Sequence, residues 1–186
     1  ALETTVFLER LGLSDDNIDA SLDEAQAFID RESSALVRRA LSPHAPYSVH
    51  PDLLHRLISM AAEQTVSLAM HIGESTEELE LLQKRGRLKQ QLETMGVWNE
   101  AAFTPERSIL SVLQSLSRCT RSLVIHGNYL THRELKFLAH HPQMHVVYCP
   151  RTHAFFEHDS HRLPALRRRR RLRRRETPTC RPRTPS

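Results

Sequence analysis

Two apolar segments close on a histidine, and an acid follows one of them. Val66–Met70 runs into His71-Ile-Gly-Glu74, and Ser122–Ile125 runs into His126-Gly-Asn128. A third segment ends Leu41-Ser-Pro-His44, and a fourth continues Tyr148-Cys-Pro-Arg-Thr-His153. Neutral imidazole is the commonest nitrogen ligand for zinc or iron, so histidines gathered at one mouth could hold a divalent ion. Glu74 need not bind that ion. A carboxylate there could take a proton from an activated water and hand it to a leaving group. A histidine at a strand end can equally be a hydrogen-bonded structural residue, and the pattern alone leaves both readings open. His50, His55, His132, His140, His141, His158 and His161 read as surface or loop residues. Cys149 reads as a small buried side chain, because no base stands beside it in sequence, and Trp98 reads as packing.

The elements that must position these groups follow from periodicity. Thr4–Leu8, Ala35–Leu41, Val66–Met70, Ser122–Ile125 and His145–Tyr148 are short β-branched or apolar runs and predict strands. Between them lie helical patterns. Leu22, Ala25, Phe28 and Ile29 mark one helix behind Ser14, which reaches to about Arg31. Leu53, Leu54, Leu57, Ile58 and Ala61 mark a second behind Pro51. Thr76–Leu82, a helix from Pro105, and one capped by Thr131 complete the set. Gly86–Thr104 is an irregular excursion. The order β-α-β-α-β-α-α-β-α-β predicts a parallel sheet, in which functional groups gather at the carboxyl ends of the strands.

A chain of 186 residues corresponds to about one domain. No stretch approaches the roughly 20 apolar residues of a membrane span, and no secretory signal is visible. The three cysteines are widely spaced and form no Cys-x-x-Cys pair, which suggests free thiols in a reducing, cytoplasmic compartment. Residues 1–162 carry a net charge of −5 and all twelve histidines, whereas residues 163–186 carry +9. The expected division is therefore an acidic α/β domain over 1–162 and a disordered basic C-terminal tail over 163–186.

At Leu41-Ser-Pro-His-Ala-Pro-Tyr-Ser-Val49, Met70-His-Ile-Gly-Glu-Ser75, Val124-Ile-His-Gly-Asn-Tyr129 and Tyr148-Cys-Pro-Arg-Thr-His-Ala-Phe-Phe156, the chain resembles the amidohydrolase superfamily. The similarity is to its aminohydrolase and chlorohydrolase branch. Val6-Phe-Leu-Glu-Arg-Leu-Gly12 also fits, so the resemblance covers roughly residues 4–162. It implies a partial (β/α)8 TIM-type barrel comprising about strands three to seven. It implies that His71 and His126 bind one divalent metal, zinc in preference to iron. Glu74 would be the proton shuttle, and His44 and His153 would face a small heterocyclic substrate. The implied reaction is attack of metal-activated water on a C–N bond of a purine-like or triazine-like ring. The branch also places His-x-His on the first barrel strand and an aspartate, usually in Gly-Thr-Asp-Ser, at the end of the eighth. No His-x-His occurs here, and Glu176 is the only acid after Arg162, so the segment is expected to be truncated at both ends.

Two other function classes stay in view: a catalytically inactive barrel fragment that only binds a ligand or partner, and a basic-tailed nucleic-acid binder. Nucleic acid and membrane are not the expected partners, and a homo-oligomer is left open. The run Arg-Arg-Arg-Arg-Arg-Leu-Arg-Arg-Arg at 167–175 has a further reading. In GC-rich DNA, Ala, Gly and Val codons read one base out of step become Arg codons. The tail is thus expected to be a frame-shifted version of the Ala/Gly/Val-rich approach to strand eight.

Overall fold

The computed structural model describes residues 2–31 and 36–176. The strands are β1 (Thr4–Arg10), β2 (Val37–Pro43), β3 (Ser67–Ile72), β4 (Ser122–His126) and β5 (Met144–Val147). The helices are α1 (Ile18–Ile29), α2 (Pro51–Glu63), α3 (Thr76–Leu82), α4 (Arg87–Thr94), α5 (Ile109–Leu116), α6 (His132–His140), α7 (Pro150–Phe155) and α8 (Leu163–Glu176). All five strands run parallel in the order β1-β2-β3-β4-β5. A doubly wound sheet reverses its strand order and puts helices on both faces; a consecutive order is that of a barrel wall with helices outside.

The core lies between the sheet and its helices. Leu53, Leu54, Leu57, Ile58 and Ala61 of α2 are all buried, together with Leu41 and Ala40 of β2, Leu68 and Met70 of β3, and Leu113 and Leu116 of α5. Each such large side chain contributes roughly 1.5–3 kcal/mol on burial. β1 and β5 are the edges of this sheet, and Val6 and Val147 on them are exposed. Unpaired edges of this kind promote self-association.

Boundaries moved where capping chemistry outweighs apolar period. The helix expected from Pro105 begins at Ile109, because Ser108 and Ser111 cap each other reciprocally, and Pro105 lies in a turn before them. The second strand starts at Val37; Ala35 lies outside the described residues. Gly86–Thr104 contains α4 and a short 3₁₀ turn at Glu100–Ala102. Trp98 stacks on Phe103 there, with ring centroids 4.4 Å apart, in keeping with a packing role. Arg107 ties this excursion down by donating to Ala102 O at 2.5 Å and to Val49 O at 2.6 Å. Burial pulls its guanidinium down to about 10.

The basic segment begins in order: Leu163–Glu176 is helical, and Leu166 is buried in the core beside α6. Arginine and leucine are good helix formers, and two leucines at i, i+3 give the first turn an apolar face. Residues 177–186 of the expected tail lie outside the described residues.

Thr131 caps α6 as expected, and Glu134 completes a capping box: Glu134 Oε2 accepts from Thr131 N at 2.6 Å, and Thr131 Oγ1 accepts from Glu134 N at 3.5 Å. Thr131→Ala is expected to lower stability by about 1 kcal/mol, measured as a shift in urea midpoint at constant slope.

Candidate active site

The carboxyl ends of β1 to β4 bring Glu9, His44, His71, Glu74 and His126 to one mouth. Backbone hydrogen bonds fix their spacing. His44 N donates to Arg10 O at 2.9 Å, His71 N to His44 O at 2.8 Å, and Gly127 N to Ile72 O at 2.9 Å. Each strand end is therefore tied to the next.

His71 lies one residue before the end of β3, and its Nδ1 is 3.0 Å from His44 O. A carbonyl only accepts, so Nδ1 carries the proton, and the lone pair of the neutral ring is on Nε2. The His71 ring lies 5.1 Å from His44 and 5.5 Å from His126, centroid to centroid. His44 Nδ1 lies 2.6 Å from Ser48 Oγ. Burial, and then His71, hold the His44 imidazole below its usual range, with Glu9 and Glu74 pulling the other way.

His126 closes β4 in a left-handed conformation, φ 69°, uncommon for a residue with a side chain. Gly127 follows at φ 65° with Leu130 and Val146 packed where a Cβ would sit. Strain of this kind costs of order 1–3 kcal/mol and persists where surrounding contacts over-determine it. His126 Nε2 is 3.2 Å from Glu74 Oε1. Burial pulls the His126 imidazole downward and Glu74 opposes it, while His71, His158 and His161 add to the lowering. With Glu74 ionised, Nε2 carries the proton in this pair and Nδ1 the lone pair.

Glu74 is held through its backbone from two sides. Its carbonyl accepts from Asn128 Nδ2 at 2.9 Å, and its N–H donates to Glu78 Oε2 at 2.9 Å. Glu78 Oε1 also accepts from Gly73 N at 3.0 Å. Glu78 is buried beneath the turn, and desolvation raises its carboxyl to about 7 against the pull of those two N–H groups. Sequence reading took Thr76–Leu82 only as a helix and missed this role; the Ser75-x-x-Glu78 spacing was the available signal, although Glu78 reaches past Ser75 to the N–H groups of Gly73 and Glu74.

His153 stands on α7, its Nδ1 3.2 Å from Asn128 Oδ1, so it reaches the mouth through the residue that also holds Glu74. Two histidines expected on the surface join it. His161 Nε2 donates to His126 O at 2.7 Å, and His158 Nδ1 lies 3.1 Å from Tyr129 Oη. The His153 ring is 5.6 Å from that of His158 and 5.9 Å from that of His161. No motif marks these two; they arrive because the chain after α7 folds back over β4. His50, also expected on the surface, is buried. It caps α2, accepting from Asp52 N at 3.2 Å through Nδ1, and its Nε2 meets Asp15 at 3.1 Å.

Parallel strands in consecutive order, four of which deliver a histidine or an acid to one end, define the histidine-rich mouth of an α/β barrel. The chain belongs to the amidohydrolase family, which matches residues 8–169. It is 24% identical over 140 residues to the 5-methylthioadenosine/S-adenosylhomocysteine deaminase of Pyrococcus furiosus, covering 73% of this chain and 28% of that protein. Its fold matches the crystal structure of Helicobacter pylori aminofutalosine deaminase with a TM-score of 0.65 and 26% identity, covering 80% of this chain and 38% of that one. A zinc-bound adenosine deaminase from Xanthomonas campestris shares the fold with a TM-score of 0.59 and 21% identity, over 81% and 30% of the two chains. The chain spans less than a third of the length of the curated relatives it matches. The fold is thus a partial (β/α)8 barrel.

Proposed function

We propose that the chain is the central part of a metal-dependent hydrolase that deaminates, or otherwise cleaves a C–N bond of, a purine-like ring. The observation that carries this reading is Glu74 Oε1 at 3.2 Å from His126 Nε2, beside a His71 whose Nε2 is left with its lone pair. Partly buried imidazoles with one nitrogen tied to an oxygen suit a divalent ion. The zinc in the Xanthomonas relative supports zinc over iron. Such an ion would supply hydroxide at neutral pH by lowering the pKa of a coordinated water.

The chain's own groups then have defined tasks. His71, through Nε2, and a neutral His126 would hold the ion. Glu74 accepts a proton at Oε1 and passes it to the departing nitrogen. His44 and His153 flank the substrate from opposite sides of the mouth, and Tyr47, whose hydroxyl burial holds neutral at about 12, borders it. The 5-methylthioadenosine/S-adenosylhomocysteine deaminases and the adenosine deaminase among the relatives support a purine-like heterocycle as substrate. Free Cys119 and Cys149 support a cytoplasmic setting; no helix among the described residues is long and apolar enough to cross a membrane.

The test is ammonia release by the zinc-loaded chain from adenosine, 5-methylthioadenosine and S-adenosylhomocysteine. Release above the metal-free blank supports the reading. A folded, zinc-loaded chain that binds these compounds calorimetrically yet releases nothing would establish the alternative, a binding module.

A further inference from the structure

We propose that Glu9, His44 and His71 form a divalent transition-metal site in their own right, one that needs no residue outside this chain. One ligand atom from each of the three lies within 4.8 Å of the others. The topology enforces this: β1 pairs with β2 so that Glu9 faces Ser42, two residues before His44, and His44 in turn anchors His71 by two bonds to its carbonyl.

The proton positions suit an ion. His71 Nδ1 donates to the carbonyl of His44, and His44 Nδ1 is paired with Ser48 Oγ, which itself donates to Ala45 O at 3.4 Å. In both rings the oxygen partner takes Nδ1–H and leaves the Nε2 lone pair for a ligand, the arrangement that orients metal-binding histidines generally. His126 differs, since its Nε2 is engaged with Glu74. The Glu9 carboxylate is exposed and makes no hydrogen bond or ion pair among the described residues. Two imidazoles and one carboxylate, with open positions, are a set that zinc and iron(II) both accept. The two sites share His71 and cannot both be filled, so this chain by itself is expected to hold its ion at Glu9, His44 and His71, and the hydrolase reading places it on His71 and His126 only where further ligands join them.

Calorimetric titration with zinc, and with cobalt(II) followed by its visible d–d absorption, tests it on the full chain and on Glu9→Gln and His126→Gln. The expected result is one ion bound by the full chain, affinity lowered at least roughly tenfold in Glu9→Gln and changed less than about threefold in His126→Gln. Cobalt should broaden the imidazole NMR signals of His44 and His71 before that of His126. Loss of binding in His126→Gln with Glu9→Gln unaffected would assign the ion to His71 and His126 and overturn the proposal. So would the absence of binding by the folded chain.

Discussion

Glu74→Gln is expected to cut the rate of ammonia release by about a hundred- to ten-thousand-fold, the usual contribution of a positioned general acid–base. The replacement is close to isosteric. Its amide oxygen can still face His126, and the backbone contacts of residue 74 with Asn128 and Glu78 do not involve its side chain. Fold and zinc content should therefore stay the same while the proton acceptor is gone. The loss should fall on kcat, because Glu74 acts on a proton in flight and not on the bound ring. Steady-state kinetics on zinc-matched samples measures it, and a variant within tenfold of the parent would remove Glu74 from the chemistry.

The second large effect is on stability and comes from Glu78. Its carboxyl rises from the ordinary 4.5 to about 7 on folding, chiefly by burial. Glu74 and Glu134 add to the rise, the N–H groups of Gly73 and Glu74 oppose it, and Tyr47 feels the same charge. The folded chain then holds a proton between these two values that the unfolded chain has lost. This contribution is fully present below pH 4.5 and disappears as pH climbs to about 7, on the order of 3 kcal/mol in all. His44 and His126, whose pKa values are lowered on folding, act in the opposite direction as pH rises toward 6.5. The informative quantity is therefore the difference between the parent and Glu78→Gln. Denaturant midpoints from pH 5 to 8 should show the parent losing ground to the variant as pH increases. Parallel curves for the two proteins would mean that Glu78 does not titrate in this window.

Much of the site was legible because strand and histidine coincide. Apolar runs of strand length ending at His71 and His126 can bury their side chains only by placing those histidines at a mouth, and Glu74 follows within a turn of the first. What stayed hidden depends on contacts distant in sequence. Glu78 looks like one of several acids opening a helix, and only the fold reveals that its carboxylate sits beneath Gly73 and Glu74. Glu9 belongs to a strand that reads as wall, and its importance comes from register with β2. His158 and His161 have no periodicity to betray them, since their placement depends on the path the chain takes after α7. His50 resembled any loop histidine until Asp15, far from it in sequence, closed over it.

Arg107 carries a consequence for how such a chain can diversify. The segment between α3 and α5 is fastened to the scaffold at Leu13 O by Asn99 and at Val49 O by Arg107. Neither anchor lies on a histidine-bearing strand. Clefts of about 680 and 600 Å³ flank α4, and Tyr47 and Ser48, close neighbours of His44, border one each. Within residues 86–98, Leu88, Leu92 and Trp98 pack against buried Leu81 and Phe103, so the positions open to exchange are those of α4 that face away from this cluster. Recombination that kept both fasteners could exchange the surface presented to a ligand's periphery and leave the proton-handling groups in place.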